Sequence, residues 1–561
     1  MRKYSYSEAI NMVVFKVKRW LEESEFKELL KIADYNGYRD GYRVFTLNVE
    51  KSLRNGYGVE DALNLLMELE AEVEGSIDDL RNAFNKYSVT LEWDSVEGFI
   101  MLHMPKTLYT GLKNVLSLVG ARKSSETPDT STYRIPPLNL DLLVRDLERL
   151  GIPVSDPAGL TRPKTLQVKP ELRNVDLRDY QREALGKWVE NKHRGVIALP
   201  TGSGKTLIGV AALVETGVRS LIVVYTKEQM MQWRDAILKY TNIEPSMIGL
   251  IHSEEKRPAP VTITTYQSGF RQINTLSPFF DMLIIDEVHH LPAEKFRHIA
   301  VHSIARYRMG LSATPFREDG RHEELFPLLG GVVYYKTPND LVSMGYLARY
   351  RVVTVKTRLS GEERKAYEEL RRKYWALAGS RDFKQVVEDA RTDPRAREAL
   401  RVHSQMRSIL ARAKAKIDKA VEIARSELEK GGKIIVFTQY VDQAREISER
   451  LNAYLLTGEI PTEERKRILE EFKNTDKGIL VVTTVGDEGL DIPDANVGIM
   501  VSGTGSRRQF IQRLGRLLRP KPGGKEAVLY EIILEKTSEE YQARKRKNMG
   551  FDEMMNSGEG E

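Results

Sequence analysis

Two rhythms of apolar and polar positions divide this chain near Leu177. Beyond it, short apolar runs alternate with longer amphipathic stretches, the pattern of buried parallel strands joined by helices. A first series of candidate strands is Val196–Leu199, Ser220–Val224, Val261–Thr264, Met282–Ile285 and Met309–Leu311. A second is Lys433–Thr438, Ala453–Leu456, Gly478–Thr483, Val497–Val501 and Val528–Leu534. Between them, Ser360–Lys416 has helical periodicity and no strand signal.

Before Leu177 the reading is mixed. Helical patterns at Asn11–Ala33 and Val59–Glu72 flank a strand-like Tyr42–Val49, and Ser88–Trp93 pairs with Phe99–His103 as a hairpin around Asp94–Gly98. Tyr42-Arg-Val-Phe-Thr-Leu-Asn-Val49 is echoed by Tyr133-Arg-Ile-Pro-Pro-Leu-Asn-Leu140. Each copy precedes an amphipathic helix, Val59–Leu69 or Leu138–Leu150. A duplication and the general likeness of strand–turn–helix units both account for that echo. Pro153–Pro170, rich in Pro, Asp and Gly, reads as a linker.

Composition narrows the class. A chain of 561 residues is expected to hold three or four domains at about 150 residues each. No apolar run approaches the ~18 residues of a membrane span, and the N-terminus lacks the apolar stretch of a secretory signal. The expectation is a soluble, cytoplasmic protein with no membrane partner. With no cysteine, disulfides, thiol nucleophiles and thiolate metal sites are excluded. The 30% charged content, without cysteine, leans toward a thermophile. A net charge of +6 permits nucleic-acid binding without proving it. Its location says more: residues 361–415 carry 14 Lys and Arg against 9 Asp and Glu.

Three strings carry chemistry. Leu199-Pro-Thr-Gly-Ser-Gly-Lys-Thr206 follows a strand and opens a helix, so the backbone of Thr201, Gly202, Ser203 and Gly204 can cradle phosphates. Lys205 would reach the β- and γ-phosphates of ATP, and Thr206 would ligate Mg2+. The usual first glycine of this motif is Leu199 here, a position helicases commonly relax. Upstream, Leu177-Arg-Asp-Tyr-Gln-Arg182 offers Gln181 for the adenine edge, with Tyr180 or Arg178 beside it. Ile284-Ile-Asp-Glu-Val-His-His290 puts Asp286 and Glu287 at the carboxyl end of a strand, where α/β sheets bind ligands. Asp286 is placed to hold Mg2+, Glu287 to orient or deprotonate the attacking water. His289 is placed to relay between the nucleotide and Ser312-Ala-Thr314. In Gln512-Arg-Leu-Gly-Arg-Leu-Leu-Arg519, Gln512, Arg516 and Arg519 share one helical face. Two arginines on one face directed at a cleft resemble arginine fingers; a basic surface helix is the alternative, and it leaves unexplained the mid-helix Gly515, an expensive residue unless something packs closely there. This string lies far beyond Asp286, so the nucleotide is expected between two domains.

The ordered set, with Thr226, Thr264-Thr-Tyr266, Thr483-Thr484 and Gly486-Asp-Glu-Gly-Leu-Asp-Ile-Pro493, resembles the motifs of superfamily 2 helicases over residues ~177–535. Arg317-Glu318-Asp319 after Ser-Ala-Thr, Val485-Gly-Asp487, Arg507-Arg-Gln509 and the Ser360–Lys416 insert resemble a narrower group, the XPB-type DNA helicases of archaea. The resemblance implies an α/β fold of two tandem RecA-like parallel-sheet motor domains with a helical thumb insert and an α+β N-terminal domain. The corresponding divisions are 1–165, 166–345, 360–416, 417–547 and a flexible tail, 548–561. It implies ATP contacts at Gly489 and Asp491, and DNA contacts at Thr226, Thr264, Thr265, Thr314, Thr483 and Arg317, Glu318 and Asp319. Also implied are 3′→5′ polarity, a role in DNA repair, and an endonuclease partner. Within the insert, Arg371, Arg372, Tyr374 and Trp375 place cations beside aromatics, suited to phosphate contact and base stacking on duplex, fork or bubble DNA. An RNA helicase on the same motor, and an ATP-switched DNA-bound scaffold recruiting a nuclease, stay open as alternatives.

Overall fold

The computed structural model describes residues 13–85, 87–288, 293–313, 326–483, 495–501 and 527–541, with Glu323 and Ala543. The stretch read as one helix from Asn11 is divided. Val13, Phe15 and Val17 are buried at every second position, the period of a strand. Strand β1 (Val14–Val17) therefore precedes helix α1 (Glu23–Ile32).

These elements begin a βαββαβ-like unit with one extra short helix, α2, before its second long one. It continues through β2 (Ala33–Arg39), β3 (Tyr42–Leu47), α2 (Val49–Arg54), α3 (Val59–Glu68) and β4 (Glu72–Glu74), with sheet order β2-β3-β1-β4. After α4 (Ile77–Asn85) and β5 (Val89–Asp94) the succession returns. It runs β6 (Phe99–Pro105), α5 (Tyr109–Leu118), β7 (Arg122–Glu126), β8 (Thr130–Ile135), α6 (Leu140–Arg149) and β9 (Val154–Ser155), in the order β7-β8-β6-β5-β9. Only the insertion of β5 between β6 and β9 separates the two orders. The echoing strings begin in β3 and β8, the third strand of each unit. A repeated topology thus underlies the echo. Both units share one apolar core, which Leu53, Leu63, Leu112 and Leu147 help to fill and which Ile304, far along the chain, completes.

From Asp179 the structure is α/β. Elements α7 (Asp179–Glu190), β10 (Arg194–Ala198), α8 (Lys205–Thr216), β11 (Ser220–Val224), α9 (Lys227–Tyr240), β12 (Ile248–Ile251), β13 (Lys256–Arg257), β14 (Val261–Thr265), α10 (Tyr266–Leu276), β15 (Met282–Ile285), α11 (Ala293–Val301), β16 (Tyr307–Ser312) and β17 (Val332–Tyr335) follow in turn. Their sheet runs β13-β12-β14-β11-β15-β16-β10-β17, parallel except for the β12–β13 hairpin. Central strands such as β11 and β15 are buried at every residue, as covered parallel strands require. Strands β12, β13 and β17 were not in the sequence reading; they are short and lie toward the sheet edges.

The second sheet is wholly parallel, ordered β18-β23-β22-β19-β21-β20. Its strands are β18 (Tyr350–Thr357), β19 (Lys433–Thr438), β20 (Tyr454–Leu456), β21 (Gly478–Thr483), β22 (Val497–Met500) and β23 (Ala527–Leu534). The unforeseen β18 is an edge strand of mixed exposure, so it lacks the continuous apolar run that marks its neighbours. Helices Gly361–Ala378, Phe383–Asp389 and Pro394–Arg412 form the thumb around Tyr367, Tyr374, Val386, Val402 and Met406. The thumb is tied to this second sheet. Leu534 of β23 enters its core and Gln443 donates to Ala411 O at 2.9 Å; in the helix that follows, Lys414–Glu429, buried Lys416 pairs with Glu539 at 2.6 Å.

The N-terminal units are held against the eight-stranded sheet. Trp93 Nε1 donates to Asn274 O, Asn274 Nδ2 donates to Val96 O at 3.0 Å, and Phe99 meets His302 edge-on at 5.1 Å. Arg306 adds a hydrogen bond to Thr161 O and an ion pair to Asp141. Among the described residues, no helix is long and apolar enough to cross a membrane.

Candidate nucleotide and nucleic-acid site

Strands β10, β11, β14, β15 and β16 all run the same way, so their carboxyl ends line one edge of the eight-stranded sheet. The loops leaving that edge carry the strings singled out above. After β10 the chain turns through Gly202 at φ 83° and Gly204 at φ 79°, left-handed values that favour glycine. Gly204 is the residue before α8, which points that helix's free N–H groups at the loop.

Lys205 is 8% exposed; its ammonium lies 3.1 Å from Leu199 O and 3.7 Å from Glu287 Oε1. Thr206 follows in the first turn of α8, half-buried. The hydroxyls of Thr201 and Ser203 are buried in the loop without a hydrogen-bond partner among the described residues. Buried donors left in this way are costly unless a ligand takes them.

At the end of β15, both oxygens of the buried Asp286 are held. Glu287 N donates to Oδ1 at 2.8 Å, and Trp233 Nε1 donates to Oδ2 at 2.7 Å. Burial, and then the adjacent Glu287 carboxylate, push Asp286 up to about 6 against the pull of Trp233 and Lys205. A bound cation would reverse that logic. Glu287 itself sits at φ 47°, an uncommon backbone for a residue with a side chain. Such strain persists where the surroundings impose it, and it clusters at functional sites.

Some expected residues stand elsewhere than their roles required. Gln181 is 3% exposed, and its amide Nε2 donates to Ser203 O at 3.1 Å while Oε1 accepts from Arg178 N. It therefore braces the phosphate loop. Arg178 lies over the Tyr346 ring at 5.7 Å, which also meets Tyr180 edge-on. Thr264 is wholly buried and donates to Ile251 O at 3.0 Å, so its hydroxyl faces the sheet and not a ligand. Thr265 and Thr226 are the residues before α10 and α9, at the sheet edge. Thr483 ends β21 with its hydroxyl buried and unpartnered among the described residues.

In the thumb the aromatic pair splits. Tyr374 is 7% exposed and packs on His403, which removes it from base stacking; Trp375, on the next position, is 58% exposed. Arg371 and Arg372 are exposed with it, Arg371 in an ion pair with Glu368. His289, Thr314, Arg317, Glu318, Asp319, Gly489, Asp491, Gln512, Arg516 and Arg519 lie outside the described residues. Trp233 and Gly209 were missed by the sequence reading. The signal available was a glycine within the phosphate-loop helix, where it needs a packing reason.

A parallel sheet bearing a phosphate loop and an Asp-Glu pair, followed in one chain by a second parallel sheet, defines a superfamily 2 helicase motor of two RecA-like domains. Residues 174–317 match the family described as "Type III restriction enzyme, res subunit", and residues 389–554 match "ERCC3/RAD25/XPB C-terminal helicase". The chain belongs to the XPB family of helicases. It is 38% identical over 381 residues to the "DNA 3'-5' translocase XPB2" of Sulfurisphaera tokodaii, covering 66% of this chain and 85% of that one. It is 30% identical over 522 residues to the "DNA 3'-5' helicase XPB" of Kineococcus radiotolerans, covering 90% of this chain and 86% of the relative. A match that wide reaches into the paired N-terminal units. The "DNA 3'-5' helicase XPB" of Mycobacterium tuberculosis is 31% identical over 431 residues, 75% of this chain and 71% of its own.

Proposed function

We propose that this chain is an ATP-driven 3′→5′ DNA translocase that opens duplex, fork or bubble DNA in repair or a related transaction. The observation that carries the reading is the convergence of Lys205, Asp286 and Glu287 on the sheet edge that also bears Thr226 and Thr265. Nucleotide chemistry and strand contact then share one set of loops. The names of the relatives support the choice of DNA and the polarity.

In this reading the backbone of residues 201–204 and Lys205 bind the triphosphate, and Thr201 and Ser203 supply the unpartnered hydroxyls. Thr206 and Asp286 are the oxygen donors for Mg2+. A carboxylate already oriented by two donors, and a hydroxyl in the first turn of the phosphate-loop helix, are oxygen donors of the kind that hard cation takes. Bound there, Mg2+ would neutralise phosphate charge. Glu287 orients the water and takes its proton, with Lys205 close enough to hold the carboxylate in place. Arg516 and Arg519 complete the site from the second motor domain. Thr226, Thr265 and Thr483 contact strand phosphates, and Arg371, Arg372 and Trp375 contact the nucleic acid from the thumb. The N-terminal units are left for recognition of a DNA structure or of a protein partner such as an endonuclease, in a cytoplasmic archaeal setting.

The test is steady-state ATPase against no nucleic acid, single-stranded DNA, duplex, fork, bubble and matched RNA. Stimulation by DNA and not by RNA is expected. Equal stimulation by RNA would favour an RNA helicase, and turnover indifferent to both would favour the switched scaffold.

A further inference from the structure

Helix α9 starts directly after Thr226, and about two turns along it Trp233 is buried at 1% exposure. Its indole reaches two other parts of the site. A Cβ built on Gly209 of α8 would stand 2.3 Å from Trp233 Cη2, so the ring occupies the space that glycine leaves. At the other end, Nε1 donates to Asp286 Oδ2 at 2.7 Å. Filling a core needs no N–H aimed at a carboxylate; an aliphatic or phenyl side chain fills volume as well. With one donor on each oxygen, the remaining lone pairs of Asp286 point in fixed directions.

We propose that Trp233 is a positioning residue of the nucleotide site, holding the Asp286 carboxylate in its Mg2+-binding orientation and tying it to the helix that Thr226 begins. The proposal rests on the assignment of Mg2+ to Asp286 above. A partner that orients a metal-binding carboxylate acts as strongly as many direct ligands. Because the same indole abuts Gly209, a shift of α9 caused by a strand at Thr226 acts on the phosphate-loop helix and on Asp286 together. DNA thereby gains a physical route to the ATP site that passes through one side chain.

The test uses the full chain, Trp233→Phe and Asp286→Asn. Thermal midpoints are followed while Mg2+ is titrated at a fixed concentration of a non-hydrolysable ATP analogue. Phe keeps a ring against Gly209 and removes the N–H. The analogue alone should stabilise Trp233→Phe as it does the parent, while the Mg2+ concentration at half effect rises ~10–100-fold. An unchanged Mg2+ requirement in Trp233→Phe, beside a raised one in Asp286→Asn, overturns the inference and leaves the site reading intact. An unchanged requirement in Asp286→Asn overturns the site reading and the inference with it. If Trp233→Phe loses its folded transition, the parent carries the test through its five tryptophans. The indole N–H resonance of Trp233, assigned with single variants of the other four, must move when Mg2+ joins the analogue complex. A resonance that stays put overturns the proposal.

Discussion

The indole N–H of Trp93 ends 2.8 Å from the main-chain oxygen of Asn274, joining the hairpin of the second N-terminal unit to the far end of the helix that Thr265 begins. Asn274 returns the contact through its side chain to Val96 O. The turn between these partners needs Gly98. It sits at φ 72°, and a Cβ there would lie 2.3 Å from Asn274 Oδ1.

Gly98→Ala should therefore loosen this joint while the motor keeps its basal ATPase. The strained φ and the clash together cost ~1–3 kcal/mol. Limited proteolysis of the 156–176 connection is the readout, with faster cleavage expected in the variant. Cleavage at the parental rate would show that the hairpin does not hold the units.

Lys205→Ala should bring ATP turnover down by at least about two to three orders of magnitude, the scale of losing a group that stabilises transition-state charge. Single-turnover hydrolysis measures it. Near-normal turnover would refute the nucleotide site.

Gly209→Ala sets two effects against each other. Replacing a mid-helix glycine gains ~1 kcal/mol of helix propensity, but the 2.3 Å approach of the Trp233 ring is backed by a packed core. Overpacking of ~1–3 kcal/mol should win. Denaturant unfolding should show a net loss; a net gain would mean that the indole yields easily.

The adjacent thumb aromatics should behave oppositely. Tyr374→Ala removes a core ring and should destabilise the protein by ~3 kcal/mol or more. Trp375→Ala should leave the melting temperature unchanged and weaken single-strand binding by about 1–3 kcal/mol. Fluorescence anisotropy and thermal melts, run on both variants, separate the roles.

Acid should destabilise the folded protein through His298. Burial, and then the neighbouring His302, lower His298 to about 4 from an ordinary 6.5, so the folded protein keeps it neutral where the unfolded chain is protonated. Its contribution is present in full above 6.5 and is lost as pH falls toward 4. His302, stacked on His298 at 4.0 Å, is lowered too, again by burial. Thermal midpoints from pH 7 to 4 should fall less steeply in His298→Gln than in the parent; parallel slopes would count against this assignment.

Much of the motor was legible because its strands are apolar throughout and its loops carry glycine, lysine and acid at fixed spacings. The places of Lys205 at a helix start and of Asp286 and Glu287 after a strand end follow from that pattern. The N-terminal region was harder. Its first strand lies next to a helix of similar apolar content, and only the alternation of Val13, Phe15 and Val17 tells the two apart. Roles also depended on direction, which a sequence does not give. Thr264 and Thr265 are neighbours, yet one hydroxyl faces the sheet and only the other residue heads a helix at the edge. Tyr374 and Trp375 diverge because adjacent residues on a helix point about 100° apart. Gln181, read for the adenine edge, has its amide engaged by the phosphate loop itself.

The thumb hangs from the second motor sheet through Leu534 and the Gln443–Ala411 bond, whereas the N-terminal units hang from the first through Trp93, Asn274 and Ile304. Each jaw of the motor thus carries its own arm. If the two sheets open and shut around ATP as proposed, the tips of these arms would amplify the stroke as the legs of a caliper do. The gap between a dye at Trp20 and one at Trp375 would then report each nucleotide step without any DNA present.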